Sequence, residues 1–231
     1  MPQLNPTALA ITAGFALVAF LPLAWPRLGR AWVYVCLVAG ALVSPVAREG
    51  VQLAWEALAR YPEATRSPAG GVGYLLLVAF AGELVKIVAP VGAVSFRAGT
   101  DEVTATAYGA AAGAGFGFAS TQSVLTMALG LVGSPFITPL SRTLAIVGWF
   151  FPVLAHVATT ALVTRAAVRG GFGVMFFGMW LVQFVLGLAQ RLPIINGVST
   201  GLAVTVVVSA GLLWILLRAQ PRSAATSPAE A

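Results

Sequence analysis

Apolar residues along this chain gather into seven runs with short polar breaks between them, at approximately 7–25, 31–47, 71–94, 105–131, 142–164, 172–189 and 199–218. Each run is about 17–27 residues, the length at which a helix crosses a hydrocarbon layer of about 30 Å. The pattern predicts an all-α fold: a polytopic membrane protein of about seven transmembrane helices, forming one domain over residues 1–218. The last residues, "AQPRSAATSPAEA" (219–231), are small, polar and proline-containing, and read as a mobile cytoplasmic tail.

One stretch departs from the pattern. In "AREGVQLAWEALARYPEATRSPAGG", Val51, Leu53, Ala54, Ala57 and Leu58 form a single apolar stripe, with Glu49, Glu56, Arg60 and Glu63 off it. That predicts an amphipathic helix lying in the membrane interface and ending near Tyr61–Pro62. The first run, "TALAITAGFALVAFLPLAW", has no basic segment before it and is long for the core of a cleaved signal, so it is expected to stay as the first span.

Composition supports the membrane assignment. The chain has 231 residues, 59% hydrophobic and 9% charged, with mean hydropathy +0.92, whereas a soluble domain carries about 25% charged residues. Net charge +6 and a pI near 10.5 could suggest nucleic acid, but the arginines stand singly between apolar runs. They therefore read as a topology signal, with no nucleic-acid partner expected. Arg27, Arg30, Arg97, Arg165, Arg169, Arg218 and Arg222 fall on one side; Arg48, Arg60, Arg66, Arg142 and Arg191 fall on the other. The excess places the N-terminus outside and the C-terminus in the cytoplasm. The single cysteine, Cys36, lies within an apolar run and reads as a buried thiol.

The fourth run contains "YGAAAGAGFGFAS", in which Gly109, Gly113 and Gly117 recur every four residues on one helix face. Small residues at that spacing allow another helix to approach to backbone contact, within the chain or between chains. Polar groups at membrane depth are few. Glu83 and Lys86, three residues apart, share a face of the third helix; Gln122 and Ser123 interrupt the fourth; His156, the only histidine, is in the fifth; Gln183 is in the sixth. Counted along each run, Glu83, Gln122, His156 and Gln183 all fall in the middle third of the bilayer.

Each of these has an ordinary reading as interhelical glue or, for Glu83 with Lys86, as a self-neutralising pair. As a set they point to function, because ionisable residues inside a membrane are costly to keep. A carboxylate and an imidazole are the parts needed to activate a water. A proton or ion path could use the same groups, although no internal repeat of the kind many carriers show is evident. A catalytic zinc site needs about three protein ligands and an open position. One histidine, one glutamate at that depth and two glutamines supply them poorly.

In their order these motifs resemble the PrsW family of bacterial intramembrane proteases, related to the wider CAAX-processing and Abi group of membrane endopeptidases. "GELVK" (82–86) is similar to the family's Glu-Glu-x-x-Lys motif, "DEVTATAYGAAAGAGFGFASTQS" (101–123) to its loop and glycine-rich helix, and "SRTLAIVGWFFPVLAHVATTALVTRAAVRG" (141–170) to its histidine segment. The likeness covers roughly residues 75–190. It implies a multi-pass protein of the bacterial cytoplasmic membrane that acts on or binds a membrane-anchored protein such as an anti-sigma factor. It also implies catalytic roles for Glu83, His156 and Lys86, with zinc held by Glu83 and His156. The departures fall on the chemistry. Gly82 stands where the family has its first glutamate, Gln122 and Ser123 stand for its glutamate and asparagine, and Gln183 is the nearest counterpart of its second histidine. A scaffold retained without catalysis, serving a membrane complex, is the alternative expectation, and a small-molecule or ion carrier the third.

Overall fold

The computed structural model describes residues 5–58, 68–130, 143, 146–189, 194–195 and 198–219. They form seven long helices: α1 (Pro6–Ala24), α2 (Ala31–Leu58), α3 (Pro68–Ser95), α4 (Glu102–Gly130), α5 (Phe150–Arg169), α6 (Phe172–Ala189) and α7 (Thr200–Ala219). A single 3-10 turn, Trp25–Arg27, follows α1. A two-residue antiparallel ladder, Ile194–Ile195 with Val198–Ser199, lies between α6 and α7 and was not expected from the sequence. The fold is all-α, and six of the helices are long and apolar enough to cross a membrane. This is the architecture of a multi-pass membrane protein.

Helix ends follow from local chemistry. Asn5 caps α1 by accepting from the backbone N–H groups of Thr7 (2.9 Å) and Ala8 (3.2 Å), and Pro6 occupies the first turn, where its missing donor costs nothing. Asp101 caps α4, accepting from the Thr104 N–H at 2.6 Å. Gly170 and Gly171, at φ +84° and +87°, take a backbone conformation that side chains disfavour, and they separate α5 from α6.

Two differences from the sequence expectation have physical causes. The amphipathic stretch after Ala47 is helical over its described residues, but it continues α2 without a break. Pro45, inside that helix, removes one backbone donor without ending it, as neighbouring helices commonly permit in membrane bundles. The expected end near Tyr61–Pro62 and the tail from 220 onward lie outside the described residues.

The second difference concerns α4, which is not among the six strongly apolar helices. It is built of alanine, glycine and threonine, and it packs against α1, α2, α3 and α5. Residues 104–117 of this helix are all buried. A helix screened from lipid by its neighbours gains little from large apolar side chains and much from small ones. The outer helices carry the lipid-facing residues, among them Val18, Leu42, Val88, Val174 and Val207.

The glycine stripe packs within the chain. A β-carbon at Gly109 would lie 2.6 Å from the Thr160 carbonyl oxygen, one at Gly113 would overlap the His156 carbonyl, and one at Gly117 would lie 3.1 Å from the Val153 Cα. α4 and α5 therefore meet backbone to backbone over three turns. On another face of α4, Gly115 meets the Leu37 carbonyl, and Gly40 of α2 meets the Ala112 carbonyl.

Candidate functional site

Close α4–α5 packing fixes the height of His156, and the polar cluster forms around it. Glu83 and Lys86, one turn apart on α3, are ion-paired, and both side chains are completely buried. Lys86 Nζ lies 3.2 Å from His156 Nδ1 and donates to Thr159 Oγ1 at 3.3 Å. Thr159 Oγ1 is in turn 3.4 Å from Glu83 Oε1. From α6, the Gln183 amide nitrogen lies 3.4 Å from both His156 Nδ1 and Thr159 Oγ1. Phe116 of α4 completes the layer, its ring edge-on to His156 with centroids 5.0 Å apart and its face 5.5 Å from the Lys86 ammonium.

These contacts assign the histidine. Both neighbours of Nδ1 are N–H donors, so Nδ1 accepts and the ring proton is on Nε2. They also constrain Glu83. Its Oε1 is held by Lys86 and Thr159, and its Oε2 is buried without a protein partner among the described residues.

A cavity of about 760 Å³ rises from this layer. His156 and Gln183 are half-buried and border it, while Glu83 borders it without exposing surface. Ser44, Arg48, Tyr74, Ser120, Gln122 and Thr205 line its walls among mostly apolar neighbours.

The structure thus brings together Glu83, Lys86, His156 and Gln183, and adds Thr159 and Phe116. Thr159 was legible in principle, being three residues from His156 and so on the same helix face. Nothing in the sequence singled out Phe116. Gln122 is not part of the cluster: it lies six residues beyond Phe116, about 9 Å further along α4, where it lines the cavity wall. Its expected shared depth is therefore corrected, because the glycine register sets Phe116 at the level of His156. The Ser123 side chain lies outside the described residues. Gly82 is not required by crowding, since a β-carbon there would meet only Phe116 Cζ, at 3.7 Å.

The donor set does not fit zinc. Among the described residues no three His, Cys, Asp or Glu side chains gather. The Lys86 ammonium occupies the space between the one carboxylate and the one imidazole. A cation bridging Glu83 and His156 Nδ1 would have to displace it, and the remaining partners are neutral Gln183 and Thr159, poor ligands for this metal.

At the other end of the bundle, a rim of charge ties α4 to its neighbours. Arg27 pairs with Asp101 at 2.9 Å and donates to Thr104 Oγ1 at 2.9 Å. Glu102 pairs with Arg165 at 2.6 Å and Arg169 at 2.8 Å. Partial burial pushes the Asp101 carboxyl up, but hydrogen bonds from Thr104 and the Arg27 guanidinium outweigh it and hold it below the usual carboxylate range.

Comparison of the chain with protein-family models, with curated proteins and with solved structures returns no match.

Proposed function

We propose that this protein is a PrsW-like membrane protein that binds a membrane-anchored polypeptide in its intramembrane cavity and does not cleave it. The observation that carries the reading is the place of Lys86. Activating a water requires a carboxylate or imidazole nitrogen free to take its proton within hydrogen-bond reach. Here Lys86 engages Glu83 Oε1 and His156 Nδ1 together, and the second carboxylate oxygen is buried. At its inner end the cavity meets a hydrogen-bonding floor, His156 with Gln183, on a buried ion pair, and Arg48 is on its wall. Such a floor orients a ligand, while the apolar walls supply affinity.

Native purification in mild detergent tests this reading. An intact membrane protein in stoichiometric amount is the expected result, with retention reduced by His156→Ala. Purification without any partner overturns it. So does cleavage of a co-expressed single-pass membrane protein that disappears with Glu83→Gln or His156→Ala, an outcome that instead supports the peptidase reading.

A further inference from the structure

Two turns that meet at one end of the bundle carry positive charge that no acid among the described residues neutralises. The α1–α2 connection, "WPRLGR" (25–30), and the α3–α4 connection, "FRAGTD" (96–101), are tied together by Arg27, which pairs with Asp101 and donates to Thr104. The second turn is also held from within. Gly99 takes φ +77°, and the Arg97 carbonyl accepts from the Thr100 hydroxyl at 2.8 Å and from the Thr100 N–H at 3.3 Å. Clip and turn together fix the backbone that carries Arg97 beside the first turn of α2.

The acids of this rim are already engaged, Asp101 by Arg27, and Glu102 by Arg165 and Arg169. Arg30 and Arg97 are exposed and form no ion pair among the described residues. Arg27, Arg30, Arg97, Arg165, Arg169 and Arg218 stand against those two acids, so the described rim carries a net charge of +4. Arg97 is also oriented. Its guanidinium lies over the ring of Trp32, 5.9 Å from the centroid, and Trp32 is half-buried against the core. Stacking occupies the face of a guanidinium and leaves the N–H groups along its edge able to donate. Arg30 stands two residues before Trp32, which places a second cation at the same turn.

We infer that Arg30 and Arg97, with Trp25 and Phe96, form a binding site for the phosphodiester headgroup of an anionic phospholipid. The charge selects an anion, and the edge of a guanidinium matches two oxygens of one phosphate. The neighbouring side chains select a lipid over a soluble anion. Trp25 is 70% exposed and Phe96 86% exposed, one in each turn. Both sit at the ends of membrane-length helices, α1 and α3, where aromatic rings lie at headgroup level. A free phosphate makes no use of exposed rings, whereas the glycerol and upper acyl chains of a lipid cover them. A zwitterionic lipid brings its own cation and gains little from a positive rim. The site does not depend on the binding function proposed above.

Native mass spectrometry of the full chain in a non-ionic detergent tests it, with phosphatidylglycerol and phosphatidylcholine of identical acyl chains. Preferential retention of phosphatidylglycerol is the expected result, weakened by added salt. Arg30→Gln with Arg97→Gln should weaken retention about thirtyfold, at about 1 kcal/mol for each arginine near a membrane surface. Arg97→Gln alone should weaken it more than Arg169→Gln, which removes the same charge from the same rim. All three side chains are exposed, so the substitutions leave the core untouched. Equal retention of the two lipids, or a preference that survives in the double variant, overturns the site. So does equal loss in Arg97→Gln and Arg169→Gln, which would reduce the effect to the rim's overall field. Displacement of the lipid by glycerol 1-phosphate at matched concentration assigns the arginines to a soluble phosphate, and displacement by hexaglutamate assigns them to an acidic peptide. Either overturns the lipid.

Discussion

Lys86 Nζ on α3 lies 3.2 Å from His156 Nδ1 on α5, with the Glu83 carboxylate on the other side of the ammonium. The lysine is thus shared between a charge on its own helix and an acceptor on another. Removing it exposes what each group costs alone.

Lys86→Met should be strongly destabilising, by about 3–5 kcal/mol, because it leaves the Glu83 carboxylate buried and unpaired. Glu83→Gln combined with Lys86→Met should recover much of that loss. Detergent unfolding of both single variants and the double variant forms a complete cycle. If the two single losses simply add, the pair is not coupled and the account of the cluster fails.

Gly113 sets the distance at which α5 carries His156. Gly113→Ala forces a methyl into the His156 carbonyl and should cost about 1–3 kcal/mol, as overpacked cores do. Gly178→Ala on α6 meets no atom within 4 Å. It should be neutral, or stabilising by about 0.4–1 kcal/mol. Thermal melts of the two variants provide the comparison, and equal effects would contradict the close α4–α5 contact.

The Asp101 carboxyl is held below its usual range, so its contribution to stability is present above the unfolded value of about 3.9 and is lost as pH falls through the lower folded value. Melting temperature should decline on acidification across that window, and less so in Asp101→Asn, which keeps the cap but gives up the charge. Asp101→Ala loses both and should cost about 1 kcal/mol at neutral pH. Identical acid profiles for wild type and Asp101→Asn would remove the carboxylate from the explanation.

Zinc should be far below one equivalent in gently purified protein, and a chelator should leave the melting temperature unchanged. Elemental analysis with a chelator melt checks this. Stoichiometric metal would mean that Lys86 is displaced from between Glu83 and His156.

Much of the fold was legible because long apolar runs need only their length to be recognised: the 172–189 run coincides with α6, and most other ends fall within three residues. The merger of the amphipathic stretch with α2 was not legible, since Pro45 permits a helix to continue as readily as it can mark an end. In the site, Glu83 and Lys86 announced themselves as charges in a membrane, and His156 as the chain's only imidazole. The error over Gln122 came from counting depth along separate runs. Relative height is set between helices, here by Gly113 against His156, and a single run contains no information about its neighbour's register. Phe116 was hidden for the same reason: its importance is purely one of contact.

The placement of α4 also bears on how the protein enters a membrane. The helix that touches most of the bundle is the one whose own residues give it the weakest claim to hydrocarbon. Released alone into lipid, it would expose its threonines and glycine backbone with little apolar surface to offset them. Its insertion is therefore expected to wait for neighbours that can receive it. An isolated 102–130 segment in a reporter membrane protein should be left outside the bilayer, where 68–95 inserts. The centre of the bundle is then the last part to become a membrane segment, and the cavity exists only after its surrounding helices have gathered.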